Sequence, residues 1–110
     1  MDRAQAQARA RALVEQMTLE EQASQLRYDA PAIPRLGVPA YNWWNEALHG
    51  VARAGVATMF PQAIGLGAAF DPELMERIGR VIGLEGRAKY NEASARGDRN
   101  IYKGLTFWAP

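Results

Sequence analysis

From Tyr41 to Ala52 the chain reads Tyr-Asn-Trp-Trp-Asn-Glu-Ala-Leu-His-Gly-Val-Ala, which puts two of the three tryptophans and the one histidine beside two asparagines and a carboxylate. Paired indoles offer flat apolar faces with an N–H handle, while Asn and Glu offer fixed donors and acceptors. That combination suits a ligand with CH faces and many hydroxyls, which is the description of a sugar. Trp43, Trp44, Asn45 and Glu46 are therefore candidate substrate-binding residues. The competing reading of the same stretch has both tryptophans in the core and Asn45, Glu46 and His49 capping a turn.

Other chemistries find no support. The sequence has no Gly-rich phosphate loop ending in Lys-Ser/Thr, no Gly-x-Ser-x-Gly elbow and no His-Glu-x-x-His pair. With no cysteine there is neither a disulfide framework nor a thiolate site for zinc or nucleophilic attack. Glu46 and His49 are close enough in sequence to meet on a turn, but one carboxylate and one imidazole without a nucleophile make no catalytic set, and His49 reads as structural. Glycoside hydrolysis normally needs two carboxylates flanking one bond. Asp71 reads as a helix cap and Glu73, Glu76 and Glu85 as helix-surface charge, so no catalytic residue is expected within the chain, and no metal site.

The elements that must position the aromatic stretch follow from local signals. Asp2 is placed to cap a helix running to about Gln16 through Ala, Arg and Gln, and Thr18-Leu19-Glu20-Glu21 forms a capping box for a second helix over Leu19 to about Leu26. Pro31, Pro34 and Pro39 with Gly37 break regular structure from Ala30 to Ala40. A strand is expected over Val38 to Trp43, with Asn45 to Gly50 turning away from its exit, and a second over Ile64 to Phe70. Asp71-Pro72-Glu73 starts a long helix reaching about Ala95, with Gly79, Gly83 and Gly86 forming a small-residue stripe that lets it lie close on a sheet. A third strand is expected from Gly104 to Pro110.

Strands separated by a crossover helix indicate a parallel α/β sheet. Three such strands leave both sheet edges unpaired and one face bare, so the 110 residues read as a piece of something larger and as prone to self-association. Thirteen basic residues against twelve acidic give a formal charge of +1 without a basic block, which argues against nucleic acid or an anionic membrane as partner. The Ala/Arg-rich start lacks the apolar core of a signal peptide, and no apolar run is long enough for a membrane span, which together read as a soluble, cytoplasmic chain.

Several phrases carry a resemblance: Met17-Thr18-Leu19-Glu20-Glu21-Gln22, Tyr41 to Ala52, Phe60-Pro61-Gln62-Ala63-Ile64-Gly65-Leu66, Ile82-Gly83-Leu84-Glu85-Gly86-Arg87-Ala88 and Gly104-Leu105-Thr106-Phe107-Trp108-Ala109-Pro110. In this order they resemble the N-terminal part of glycoside hydrolase family 3, in its β-xylosidase-like branch. The Trp-Trp-Asn-Glu-Ala-Leu-His-Gly phrase is the most specific of them. The resemblance implies a retaining, exo-acting hydrolase that removes terminal β-linked xylose, glucose or arabinose-type residues, with a (β/α)8 TIM-type barrel followed by an α/β sandwich. It implies no metal or organic cofactor.

On that resemblance, residues 1–110 are expected to be the incomplete N-terminal portion of the barrel, with about three strands, an N-terminal helix pair and one long crossover helix, since a whole barrel takes about 250 residues. The family's nucleophile, an aspartate on a later strand, and its acid/base glutamate both fall outside the chain, so the chain alone is expected to be inactive. Where the glucosidase branch has Asp-Gly-Pro-x-Gly this chain has Glu46-Ala47-Leu48-His49-Gly50. Glu46 thus stands where an acidic residue grips the hydroxyls of the terminal sugar, and Trp44 resembles the aromatic wall of that subsite. The alternative is a stand-alone, non-catalytic α/β module that binds a sugar or a partner chain through Trp43 and Trp44.

Overall fold

The computed structural model describes residues 1–109, and the chain divides into two compact units, one from Met1 to Tyr41 and one from Asn42 onward. Helix and strand are mixed, as expected, but the strands are far shorter than the sequence suggests.

In the first unit, α1 (Arg3–Val14) starts at Asp2, whose carboxylate accepts from the Gln5 N–H while the Gln5 side chain returns to the Asp2 N–H. α1 buries none of its residues, which fits its Ala/Arg/Gln content: propensity rather than packing forms it. The expected capping box is present at α2 (Leu19–Ser24), where Thr18 accepts from the Glu21 N–H and Glu21 accepts from the Thr18 N–H. Arg35 then closes on the same Glu21 with two N–H groups and donates to the Gln16 carbonyl at 2.8 Å. β1 (Asp29–Ala30) lies between them, and Arg35 itself sits in a single 3-10 turn at Pro34–Leu36, bracketed by reciprocal main-chain bonds of Ile33 and Val38. Ala30 and Ile33 are the buried apolar residues of this unit.

β2 (Tyr41–Asn42) lies at the junction, and β3 (Asn45–Glu46) follows after two residues. The expected strand over Val38 to Trp43 is thus reduced to two residues, and Asn45 and Glu46, expected in a turn, are themselves a strand. A further correction concerns the middle of the chain. Ile64 to Phe70 is not a strand: α3 (Ala63–Gly67) occupies it, with Gln62 extended before it and Leu66 N–H bonded to the Gln62 carbonyl at 3.0 Å. Alternating small and apolar residues suit a strand only where neighbouring strands pair with them; here Ile64 and Phe70 stay exposed, and the local turn forms instead.

α4 (Pro72–Ala95) has the expected bounds, with Asp71 accepting from Leu74 N–H at 2.9 Å and Pro72 in the first turn. β4 (Phe107–Trp108) is parallel to β3, with Asn45 opposite Phe107 and Glu46 opposite Trp108. α4 therefore is the crossover helix between two parallel strands. Pro110, where the expected third strand ends, lies outside the described residues. The glycine stripe works at one position only: a Cβ on Gly86 would sit 2.8 Å from the Phe107 ring, whereas one on Gly79 or Gly83 would meet nothing. Ala47, Val51, Ala54, Ile78 and Ala93 are the buried apolar residues of this second unit. No helix among the described residues is long and apolar enough to cross a membrane.

Candidate functional site

Successive side chains of a strand point to opposite sides, and this alternation sorts the aromatic stretch. Asn45 points inward and is 2% exposed; Trp44 and Glu46, on either side of it, face outward. The Trp44 indole N–H donates to Glu46 Oε1 at 2.9 Å, so the ring and the carboxylate form one unit on the surface. Trp43 and Trp44 are about half exposed, at 50% and 49%, which sets aside the reading that both are core.

The inward residue is fully occupied. Asn45 Oδ1 accepts from the Gly104 N–H at 2.7 Å, and Nδ2 donates to the carbonyls of Asn42 at 3.1 Å and Thr106 at 3.2 Å. An amide has two N–H donors, and both are used. Burial and these bonds keep the Asn45 side chain away from a ligand, so of the four candidates the structure leaves Trp43, Trp44 and Glu46 at the surface and makes Asn45 their anchor. The main chain adds to the hold: Asn42 Oδ1 accepts from Trp44 N–H, the Trp44 carbonyl accepts from Tyr102 N–H, and Ala47 N–H reaches the Trp108 carbonyl.

Beyond Glu46 the chain folds back over a cleft of about 560 Å3 whose lining runs from Glu46 through His49 and Arg53 to Thr58 and Met59. His49 pins the return of the loop. Its Nδ1 lies 2.8 Å from the Phe60 carbonyl, which can only accept, so Nδ1 carries the proton, and the His49 carbonyl accepts from Phe60 N–H at 2.8 Å. Gly50, at φ 144°, brings the backbone so close to the Thr58 carbonyl oxygen that a Cβ would run into it. His49 is thus a structural residue, as the sequence suggests.

Two residues that hold the loop walling this cleft went unread in the sequence. Glu85, expected to be surface charge, accepts from the Thr58 hydroxyl at 2.6 Å and from the Thr58 N–H at 3.0 Å. These two bonds, with Lys89 nearby, hold the Glu85 carboxyl below the ordinary carboxylate range. Lys89 donates to the Ala54 and Val56 carbonyls at 2.8 and 2.6 Å. The signal was their four-residue spacing on α4, which resembles a solvent-side ion pair. Among the described residues no three of His, Cys, Asp and Glu gather as a metal site.

No protein-family model matches the chain. Curated relatives do. A "Probable exo-1,4-beta-xylosidase" of Aspergillus terreus is 50% identical over 93% of this chain, a "Probable beta-D-xylosidase 7" of Arabidopsis thaliana is 51% identical over 93%, and a "Probable exo-1,4-beta-xylosidase" of Neosartorya fischeri is 48% identical over 93%. The chain spans 14% of the length of each of these relatives. Half of all positions agreeing across nearly the whole chain is far beyond what shared composition produces, and the chain is thus similar to one segment of these xylosidases, in keeping with its resemblance to the β-xylosidase-like branch of glycoside hydrolase family 3.

Proposed function

We propose that the chain supplies part of the sugar-binding surface of a retaining, exo-acting β-glycosidase, and that it forms the N-terminal portion of the (β/α)8 barrel of such an enzyme. The observation that carries the reading is the Trp44 to Glu46 bond of 2.9 Å on an exposed strand end. The bond engages Glu46 Oε1 and orients the carboxylate, so that Oε2 is turned to accept from ring hydroxyls, while the half-exposed indole offers a face for the CH side of a pyranose. Trp43 widens this apolar surface. The names of the relatives favour a terminal β-linked xylose, with glucose as the alternative.

In this reading the chain binds and orients but performs no bond cleavage. A retaining mechanism needs a nucleophile and an acid/base about 5 Å apart, and among the described residues Glu46 is the only carboxylate lining this cleft. The exposed apolar side chains of the second unit make self-association part of the same reading. The direct test is titration of the 110-residue chain with methyl β-D-xyloside, followed by tryptophan fluorescence and by the Trp44 indole N–H resonance. Saturable binding that is lost in Glu46→Ala and weakened in Trp44→Ala is expected. Binding indifferent to both changes sinks the assignment. The stand-alone binding module remains the second reading, and cleavage of an aryl β-xyloside by the purified chain would defeat both.

A further inference from the structure

Two head groups one helical turn apart on α4 leave the helix surface and reach the same loop. Glu85 takes the Thr58 hydroxyl and N–H, and Lys89 takes the carbonyls of Ala54 and Val56. The loop they hold is a wall of the cleft that Glu46 also lines. His49 and the buried Ala54 secure its ends, but its tip has little else to hold it. Val56 is 95% exposed, so the tip gains nothing from packing, and Gly55, at φ 80°, leaves the chain free to take other paths. A carboxylate gripping donors and an ammonium gripping acceptors, on opposite ends of five residues, fix both the position and the direction of that wall.

We propose that Glu85 and Lys89 are positioning residues that set the wall of the sugar cleft from the helix behind it, without touching the ligand. The inference rests on the reading of Glu46 as a sugar-binding residue, extends that site into the cleft that Glu46 lines, and adds the residues that fix the cleft's width. Neither side chain lines the cleft, so their effect passes through residues 54–58 and not by contact with the ligand. Lys89 is the more exacting of the two, because its ammonium, at the end of a long side chain, bonds two carbonyls at once; Arg keeps that reach and donor capacity and Met does not.

The test uses the 110-residue chain and two readouts: amide hydrogen exchange at Val56 to Met59, and the dissociation constant for methyl β-D-xyloside. Lys89→Met and Glu85→Ala are expected to speed exchange in the loop about ten-fold or more and to weaken xyloside binding about five-fold, while Lys89→Arg restores both. Glu76→Gln, which breaks an exposed ion pair on the same helix, should change neither. If a variant loses exchange protection throughout α4, Thr58→Val replaces it, removing one grip from the loop side; faster loop exchange there supports the clamp. Unchanged loop exchange overturns the proposal, and so does faster exchange with unaltered affinity. Absence of xyloside binding by the unaltered chain defeats the sugar reading instead, and the exchange arm then decides the clamp alone.

Discussion

The Asn45 side-chain carbonyl and the Gly104 N–H meet at 2.7 Å although 59 positions separate them in sequence. Through this bond and the two donated by Nδ2, one buried amide joins the strand end that bears Trp44 and Glu46 to the segment entering β4. Asn45→Ala strands the Gly104 N–H and two carbonyls inside the fold, and an unsatisfied buried group costs about 1–3 kcal/mol. A loss of about 2–3 kcal/mol in urea unfolding is expected. Asn45→Asp keeps the acceptor for Gly104 but sets a carboxylate oxygen against two carbonyls, so it should be the worse of the two near neutral pH and recover as acid protonates it. Equal stability of all three chains across pH would show the amide to be dispensable.

Gly86 against Phe107 yields a second expectation. Gly79→Ala and Gly83→Ala place a methyl in open space on a helix and should each stabilise by about 0.5–1 kcal/mol. Gly86→Ala meets the ring at 2.8 Å, so the ring must swing away from the helix and the propensity gain is offset. Thermal melts should order the variants with Gly86→Ala at least about 1 kcal/mol below the other two, and Phe107→Leu in the same chain should narrow the gap.

These two sites show what the sequence conveys and what it withholds. Signals confined to a few neighbours were legible: the Thr18/Glu21 box, the Asp71-Pro72 start and the full length of α4, and the turn role of His49. Whether Ile64 to Phe70 is extended depends on strands to pair with, and without them the chain closed a helical turn. The Asn45, Glu85 and Lys89 roles were not legible because each joins segments dozens of residues apart, and a surface pair and a loop clamp share one spacing. The stripe of three glycines suggested a long close contact; only the position facing Phe107 makes one.

Acid should loosen the first unit through Glu21. Its carboxyl lies below the ordinary range because Arg35 hydrogen-bonds it and, second, because it accepts from the Thr18 N–H. A carboxyl depressed in the folded state stabilises above its unfolded value, about 4.3, and that contribution is lost as pH falls through the folded value. The group is solvent-facing, so the effect is modest. Urea midpoints taken from about pH 7 down to about pH 3 should fall for the unaltered chain and fall less steeply for Glu21→Gln, which is already less stable at the upper end. Parallel curves would remove Glu21 from the acid response.

Self-association should depend on the apolar side chains that the second unit leaves bare, among them Phe70 at 91% and Ile64 at 82% exposure. Light scattering after size exclusion should show a mass that rises with concentration. Ile64→Ser with Phe70→Ser should shift the chain toward monomer, without loss of the α4 signal in circular dichroism. A sharp monomer at every concentration in the unaltered chain rejects the expectation outright.

The length of Glu46 bears on which sugar is held. Its carboxylate reaches Trp44 Nε1 at 2.9 Å, and removing one methylene in Glu46→Asp withdraws the oxygen from the indole and opens space beside the ring. A pentose presents only its hydroxyls there, whereas a hexose brings an extra hydroxymethyl that the longer side chain crowds. One small group in a pocket is worth about 1–3 kcal/mol. Glu46→Asp is therefore expected to move the affinity ratio of methyl β-D-glucoside to methyl β-D-xyloside toward glucoside by an amount in that range, with the Trp44 indole N–H resonance shifting as its bond is lost. Glu46→Ala lacks any carboxylate and should weaken both sugars, by about 1.5–3 kcal/mol for a charged hydrogen bond. Calorimetric titration of the three chains with both glycosides separates the effects. A ratio unmoved by Glu46→Asp, together with unweakened binding in Glu46→Ala, would reduce Glu46 to the residue that steadies Trp44.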